Sequence, residues 1–348
     1  MKIHILYNFK DGAWGGGNQF LKALRKCFVK KRCYVESPED ADVILFNSHH
    51  KLNSAIKLKK GHPEKIFVHR IDGPIFYIRN YDLELDRDIF LINNNLADIS
   101  IFQSKWSYQK CLELGCNKNR YEKIIHNGVD SNVFNRENRI EFSADRKIKL
   151  IATSWSDNWR KGFHLYKWLD ETLDFDRYDF TFIGNSPVKF TNIQHINPLS
   201  SKELSEQLKK HDIFITASEN DPCSNSLIEA LSCGLPAVVK NEGGHPELIK
   251  NSGTTFNTGE ECLNAIETIT NNYETYQKNI DVNTIEQTAT EYYEIMYKVY
   301  ELYVKGEYRP KEMDRLLGYR HMQLQLTNQI KNVVRTLYRR CSHRLHRW

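Results

Sequence analysis

Short apolar runs alternate with helical patterns twice along this chain, and that alternation leaves few architectures open. KIHILYN at the start reads as a buried strand and ADVILFN, KIFVHRI, DISIFQS and EKIIHNG as further strands, with helical patterns between several of them. After a charged stretch the scheme repeats in KLIATS, DFTFIG, DIFITAS and PAVVK. Strands alternating with helices predict parallel sheets covered on both faces. At 348 residues the chain is too long for one ordinary core and suits two such α/β domains. The expected organisation is a doubly wound, Rossmann-like domain over residues 1–134, a linker over 135–146, a second such domain over 147–306 and a tail over 307–348.

The densest cluster of site-forming residues is DPCSNSLIEALSCGLPAVVKNEGGHPE, Asp221 to Glu247. Ser224, Asn225 and Ser226 are residue types that cap helices, because their side-chain oxygens satisfy the free N–H groups of a first turn. Leu227, Ile228, Ala230 and Leu231 give that helix a buried face, Gly234 suits its left-handed end, and Pro236 prevents its continuation. The unpaired N–H groups and positive dipole end of the helix form an anion site. Asp221 falls just outside it, placed to accept from sugar hydroxyls. Glu229 falls inside the helix, where a carboxylate can grip the two neighbouring hydroxyls of a ribose. Gly243 and Gly244 permit close backbone approach to a ligand. A capped helix with Asp221 in a turn and Glu229 in solvent is the plain alternative.

This stretch resembles the donor-binding signature of the retaining, family 4-like glycosyltransferases of the GT-B fold. Glu229-Ala230, Gly234, Pro236, Gly243, Gly244 and Glu247 fall in register with it, and Asp221 stands where that family usually has Glu. The shorter acid keeps the charge and puts the identity of the sugar in question. KIKLIATSWSDNWRKGFHLYKWL, Lys147 to Leu169, carries a second part of the resemblance. There the family usually has an Arg and, five residues on, a Lys-Gly that contacts the donor diphosphate. Lys161-Gly162 matches the latter, Ser156 occupies the Arg position, and Arg160 is a candidate to replace the missing charge. A point charge at Lys161 suits a departing diphosphate. Without the downstream signature the same residues would read as a solvated basic turn.

The resemblance implies two domains facing a cleft, the first on the acceptor side and the second holding a nucleotide sugar. Gly16 and Gly17, in the glycine-rich loop Gly12 to Gly17 that follows the first strand, then offer backbone N–H groups to donor phosphates or acceptor, or else form a tight turn. Their spacing is not that of a dinucleotide fingerprint. Asn18, opening the helical pattern behind the loop, is a secondary candidate. Gly184 and Asn185 end a strand at the nucleotide side. HRIDGP sits at the carboxyl end of a strand, where ligands bind in open α/β sheets. It makes Asp72 the leading acceptor-side or transition-state contact, with His69 second. A turn and a satisfied core histidine are their other readings. FQSKW, with Ser104, and IIHNGVDSNVF, ending in Phe134, also resemble family landmarks, and Asn127-Gly128 within the latter reads as a turn closing the domain. By the resemblance Asp221, Lys161 and Asp72 form the catalytic set.

The function expected is transfer of a sugar from a nucleotide donor to a hydroxyl of a glycan or lipid-linked saccharide, with retention and without a metal or other cofactor. His and Cys are scattered without metal-ligand spacing. A silent sugar-nucleotide-binding protein and a GT-B epimerase remain open. A phosphorylase would need a pyridoxal-binding lysine site, and no such pattern is visible. The eight cysteines form no Cys-x-x-Cys pair or disulfide framework, no apolar run approaches the ~20 residues of a membrane span, and the first residues lack a signal-peptide apolar region. A reduced cytoplasmic protein is the resulting expectation.

The tail stands apart. Residues 316–348 hold seven Lys/Arg and no Asp/Glu, so the rest of the chain carries 42 basic against 44 acidic residues. Tyr319, Met322, Leu326, Ile330, Val333, Leu337, Cys341 and Leu345 recur at helical steps, with Lys331, Arg335 and Arg339 as a basic row beside them. Such a helix suits the anionic inner face of a membrane. Packing on protein and contact with nucleic acid are the alternatives, the last not expected.

Overall fold

The computed structural model describes residues 1–10, 16–79 and 81–345, with side chains through residue 335. Its strands fall into two separate sheets. The first contains β1 (Ile3–Leu6), β2 (Val43–Asn47), β3 (Ile66–Ile71), β4 (Ile99–Phe102) and β5 (Tyr121–Ile124), in that spatial order and all parallel. Taken alone, this order describes a sheet wound in one direction. The reversal comes from Tyr34, which follows the Gly16–Lys30 helix and bridges Ile3 on the edge away from β2. Ile3 N–H donates to Cys33 O at 2.7 Å, and Val35 N–H to Ile3 O at 3.0 Å. The chain therefore steps to one side of β1 and then to the other, which places a topological switch beside the carboxyl ends of β1 and β2. Strands β2 and β3 are buried along their whole length, as helices on both faces require.

The second sheet contains β6 (Ile148–Ser154), β7 (Tyr178–Gly184), β8 (Gln194–Ile196), β9 (Ile213–Thr216), β10 (Ala237–Lys240) and β11 (Gly253–Phe256). Its order is β11-β10-β9-β6-β7-β8, again parallel, with the reversal between β6 and β9. Both halves are thus the doubly wound α/β domains that the alternation predicts.

The core of each domain borrows from the other end of the chain. Val129 and Phe134 pack with the second domain. Ile285, Ala289, Tyr292, Met296 and Val299 form one face of the Ile285–Val304 helix and pack into the first domain with Phe20, Leu24 and Phe28. Thr284 starts that helix with a reciprocal capping box to Gln287. The two crossings touch: Val129 bridges Thr284, and a Cβ on Gly128 would lie 2.5 Å from Thr284 O. A glycine is needed there, and the pair forms one hinge between the domains. The stretch 135–146 lies on the second domain, where Arg146 forks onto Asp212 at 2.7 and 2.9 Å and Phe142 stacks on Tyr273.

Beyond the hinge the chain is tied to the first domain by Asp98, which is wholly buried. One of its oxygens accepts from Tyr308 Oη at 2.6 Å and Lys311 N–H at 2.7 Å, and the other accepts from Phe67 N–H at 2.8 Å and lies 3.7 Å from buried Lys59 Nζ. Asp98→Ala strips Lys59 of its counter-charge, and we expect a loss of about 3–5 kcal/mol in denaturant unfolding. A loss under about 1 kcal/mol would contradict that role.

The tail is helical, Leu317–Leu345, but it is not free. Leu317 is buried beside Ile92 and Leu96, His321 bonds Asp88, Lys331 pairs with Glu84, and Arg335 lies 3.5 Å from Asp82 and over the Tyr81 ring. The expected basic row is therefore corrected: Lys331 and Arg335 spend their charge on acids at the start of the Leu83–Leu96 helix. Their partners lie on the face opposite the apolar stripe, so docking the polar side leaves Tyr319, Met322, Leu326, Ile330 and Val333 outside, each 52–60% exposed. Leu337, Arg339, Cys341 and Leu345 fall outside the described side chains.

Candidate active site

The carboxyl ends of the two sheets face one cleft of about 440 Å³. The first domain contributes Gly16, Gly17 and Gln19 after β1, Arg70 and Asp72 at the end of β3, then Gln103 and Asn127. The second contributes Ser154 to Ser156 after β6, Lys161, Gly184 at the end of β7, Pro198 to Leu204 in part, Ser218 after β9, and Asp221 to Ser226 with Glu229.

Lys161 ends a short 3-10 turn, Trp159–Lys161, that Asn158 caps. The next residue must be Gly162: its φ is +93°, and a Cβ would meet Ala217 Cβ at 2.2 Å. That turn packs onto the end of β9 and sets Lys161 Nζ 2.9 Å from Asp221 Oδ2. Burial pushes the Asp221 carboxyl up, and the Lys161 ammonium with His245 nearby outweighs it, so the net shift is downward. Two charges meet in the cleft as a pair.

Just beyond, Ser224 Oγ accepts from Leu227 N–H and caps the Asn225–Ser232 helix. Asn225 Oδ1 accepts from Asn127 Nδ2 of the first domain at 2.8 Å. Gly16 is packed so tightly here that a Cβ would lie 2.1 Å from Asn225 Nδ2. The starts of two helices, Gly16–Lys30 and Asn225–Ser232, thus meet at one place, each with its positive dipole end at the cleft. One turn further in, burial alone pushes the Glu229 carboxyl up to about 8. Next to it Ile183, Pro198, Leu199 and Leu204 make an apolar wall suited to a flat ring, with Trp155 half exposed at the mouth.

Across the cleft, Asp72 is held by Arg70, by Asn47 Nδ2 at 2.8 Å and by Gln103 Nε2 at 2.9 Å. Arg70 is itself buried, donates to Asn47 and Asn127, and lies over the Phe20 ring. Three donors fix a carboxylate that is still one-third exposed to the cleft.

The cleft gathers Asp221, Lys161, Asp72, Glu229, Ser156, Asn225, Ser226, Gly16, Gly17 and Gly184. Gly184 is needed structurally as well, because a Cβ there would lie 1.8 Å from Ser154 O. Five other candidates serve elsewhere. His69 is a core histidine: it is fully buried, bonded to Ser48 O at 2.9 Å and Asn93, stacked on Phe46, and held neutral as burial lowers it to about 4. Asn18 brackets the loop through Lys10 N–H and O, both at 3.0 Å. Arg160 donates to Tyr77 O of the first domain at 3.1 Å and pairs with Glu219, so it joins the domains instead of lining the cleft. Gly243 and Gly244 approach the chain's own backbone, at Asp221 and Pro222, and not the cleft. The loop positions Gly12 to Gly15 lie outside the described residues.

Glu247 also does something its register does not announce. Its carboxylate accepts from Lys105 and Trp106 N–H, each at 2.8 Å, and so caps the first-domain helix Lys105–Glu113 from the second domain. Glu247→Ala removes two charge-assisted bonds, worth about 1–3 kcal/mol, from the closed form. We expect a larger radius of gyration in solution scattering and a raised KM for the cleft's ligand. Unchanged values of both would mean the clasp does not hold the domains.

Two doubly wound parallel sheets whose carboxyl ends face one cleft make the GT-B fold. Residues 190–284 match the family model Glycosyl transferases group 1. Over 200 residues the chain is 28% identical to the sulfoquinovosyl transferase SQD2 of Arabidopsis thaliana, covering 51% of this chain and 39% of that protein. The chain spans half or less of the length of the curated relatives it matches. The solved structure of Alr3699/HepE from Anabaena with UDP-glucose superposes with a TM-score of 0.63 at 16% identity, over 84% of this chain and 99% of that one. The lipopolysaccharide outer core galactosyltransferase WaaB gives 0.65 at 11% identity, over 86% and 99%.

Proposed function

We propose that this protein transfers a sugar from a nucleotide-sugar donor to a hydroxyl of a glycan or lipid-linked saccharide, in the cytoplasm at the inner face of a membrane. The observation that carries the reading is the alignment, in one cleft, of an apolar wall, Glu229, a helix start and the Lys161–Asp221 pair. A base fits the wall, the ribose hydroxyls fit Glu229, the diphosphate fits Lys161 and the helix start, and the sugar reaches Asp221. The donor complex of Alr3699/HepE with UDP-glucose supports a donor of this chemical class.

In the reaction proposed, the bond from the sugar C1 to the β-phosphate oxygen breaks and the acceptor oxygen bonds to C1 on the same face. The acceptor proton passes to the departing phosphate. Lys161 Nζ and the amides of the Asn225–Ser232 helix stabilise charge where it develops. Asp72, fixed by Arg70, Asn47 and Gln103, faces the developing positive charge on the sugar or orients the acceptor hydroxyl. No metal is required, because these groups supply the positive charge.

Incubation with a panel of nucleotide sugars and saccharide acceptors, followed by proton NMR of the anomeric signals, tests this reading. Transfer with release of nucleoside diphosphate and an unchanged anomeric configuration is expected. An inverted product removes the retaining step, an isomerised donor points to an epimerase, and binding without turnover points to a silent sugar-nucleotide-binding protein.

A further inference from the structure

The Leu317–Leu345 helix docks through its polar side and leaves its apolar side unpartnered among the described residues. We propose that this outward stripe, Tyr319, Met322, Leu326, Ile330 and Val333, is a docking surface for an anionic lipid bilayer. The inference does not depend on the transferase reading.

Two observations favour a bilayer over a second copy of the chain. First, the stripe does not sustain a coiled-coil seam. Counted in heptads from Tyr319 and Met322, the later seam positions are Leu326, Gln329, Val333, Thr336, Arg340 and His343, four of the six polar. Second, charge is distributed along the element. Lys331 and Arg335 are already paired with Glu84 and Asp82, so the docked part is close to neutral and contributes apolar area. Residues 336–348 hold four arginines and no acid, which complements anionic headgroups. No helix among the described residues is long and apolar enough to cross a membrane, so contact through this helix would be peripheral.

The placement has a consequence for the cleft. The helix is anchored on Asp82, Glu84 and Asp88, all in or beside the first-domain helix Leu83–Leu96. A bilayer met by the stripe is therefore held against the first domain, the side that carries Asp72, which suits an acceptor that resides in the membrane.

The test is vesicle flotation of the whole protein without substrate. Vesicles of phosphatidylcholine with phosphatidylglycerol are compared with phosphatidylcholine alone. The native protein should float with the anionic vesicles, and the variant Leu326→Glu/Ile330→Glu should bind them at least about tenfold more weakly. Both positions are half exposed, so melting temperature and transfer to a soluble acceptor should not change. Failure of the native protein to float, or equal flotation of the variant, overturns the proposal. So does a dimer in light scattering that the double substitution converts to monomer, because the stripe would then belong to a second copy. Transfer activity is a separate readout, so its absence would count against the enzyme reading and leave flotation to decide this one.

Discussion

Lys161→Ala is expected to lower kcat/KM by about 10²–10³-fold while the fold survives. Lys161 has no structural duty comparable to that of Arg70 or Lys59. Its side chain is about one-third exposed, and its described bond is to Asp221. In the proposed reaction the ammonium offsets charge that builds on the diphosphate as the C1–O bond lengthens, so its loss falls on the transition state. The substitution also leaves the Asp221 carboxylate unpaired where a diphosphate must sit. Part of the deficit is then repulsion, and Lys161→Ala/Asp221→Asn should recover about tenfold in nucleotide affinity over the single variant without restoring turnover. Steady-state kinetics with circular dichroism as a fold check decide the matter. A variant that keeps more than about a third of native turnover would remove Lys161 from the site.

Glu229→Gln should separate binding from stability, with opposite signs. Burial pushes this carboxyl up to about 8, so in the free protein at neutral pH it is mostly protonated. Accepting from two ribose hydroxyls requires the ionised form, and donor binding then releases a proton. Affinity should rise with pH toward about 8, with a slope approaching tenfold per unit, and flatten above it. The Gln variant should bind at least about tenfold more weakly at pH 8 and lose that slope.

Stability runs the other way. A carboxyl whose folded value lies above its unfolded value favours the folded state most below the unfolded pKa, and that contribution fades as pH rises to about 8. At pH 8 the folded protein carries a poorly solvated charge that Gln does not have. Glu229→Gln should therefore be more stable than the native chain at that pH, on the order of 1–2 kcal/mol, and similar to it at pH 4. Titration calorimetry and thermal melts across pH read both effects. A destabilised Gln variant with normal affinity would make Glu229 a structural residue.

Periodicity and composition carried most of the fold. The apolar run Val43 to Phe46 within ADVILFN reads as a central strand of a covered sheet, and it is buried along its whole length between β1 and β3. The first sheet's reversal was not legible, because it rests on a single bridge at Tyr34 that has no strand-length pattern. In the site, residues set by a local motif fell into place: Asp221, Asn225 and Glu229 share a helix start, and Lys161 precedes an obligatory glycine. Residues judged by chemistry alone did not. His69 has the right neighbours in sequence, but alternation along β3 turns its ring into the core while Arg70 and Asp72 face the cleft. Gln103, Asn127 and the 198–204 wall were missed because their roles exist only once the domains meet. A signal for the last was present: Ser200 and Glu203 form a capping box directly after Pro198-Leu199. Arg160 and Glu247 show the same limit, since their partners Tyr77, Lys105 and Trp106 lie across the cleft.

Titration of the native protein, Lys161→Ala and Glu229→Ala with UDP, ADP and GDP at pH 8 tests the central claim most directly. At least one of these nucleoside diphosphates should bind the native protein at micromolar concentration, and each variant should weaken that binding by about 30-fold or more. Failure of every nucleoside diphosphate to bind, or equal affinity for all three proteins, would contradict the assignment of the cleft to a nucleotide-sugar donor.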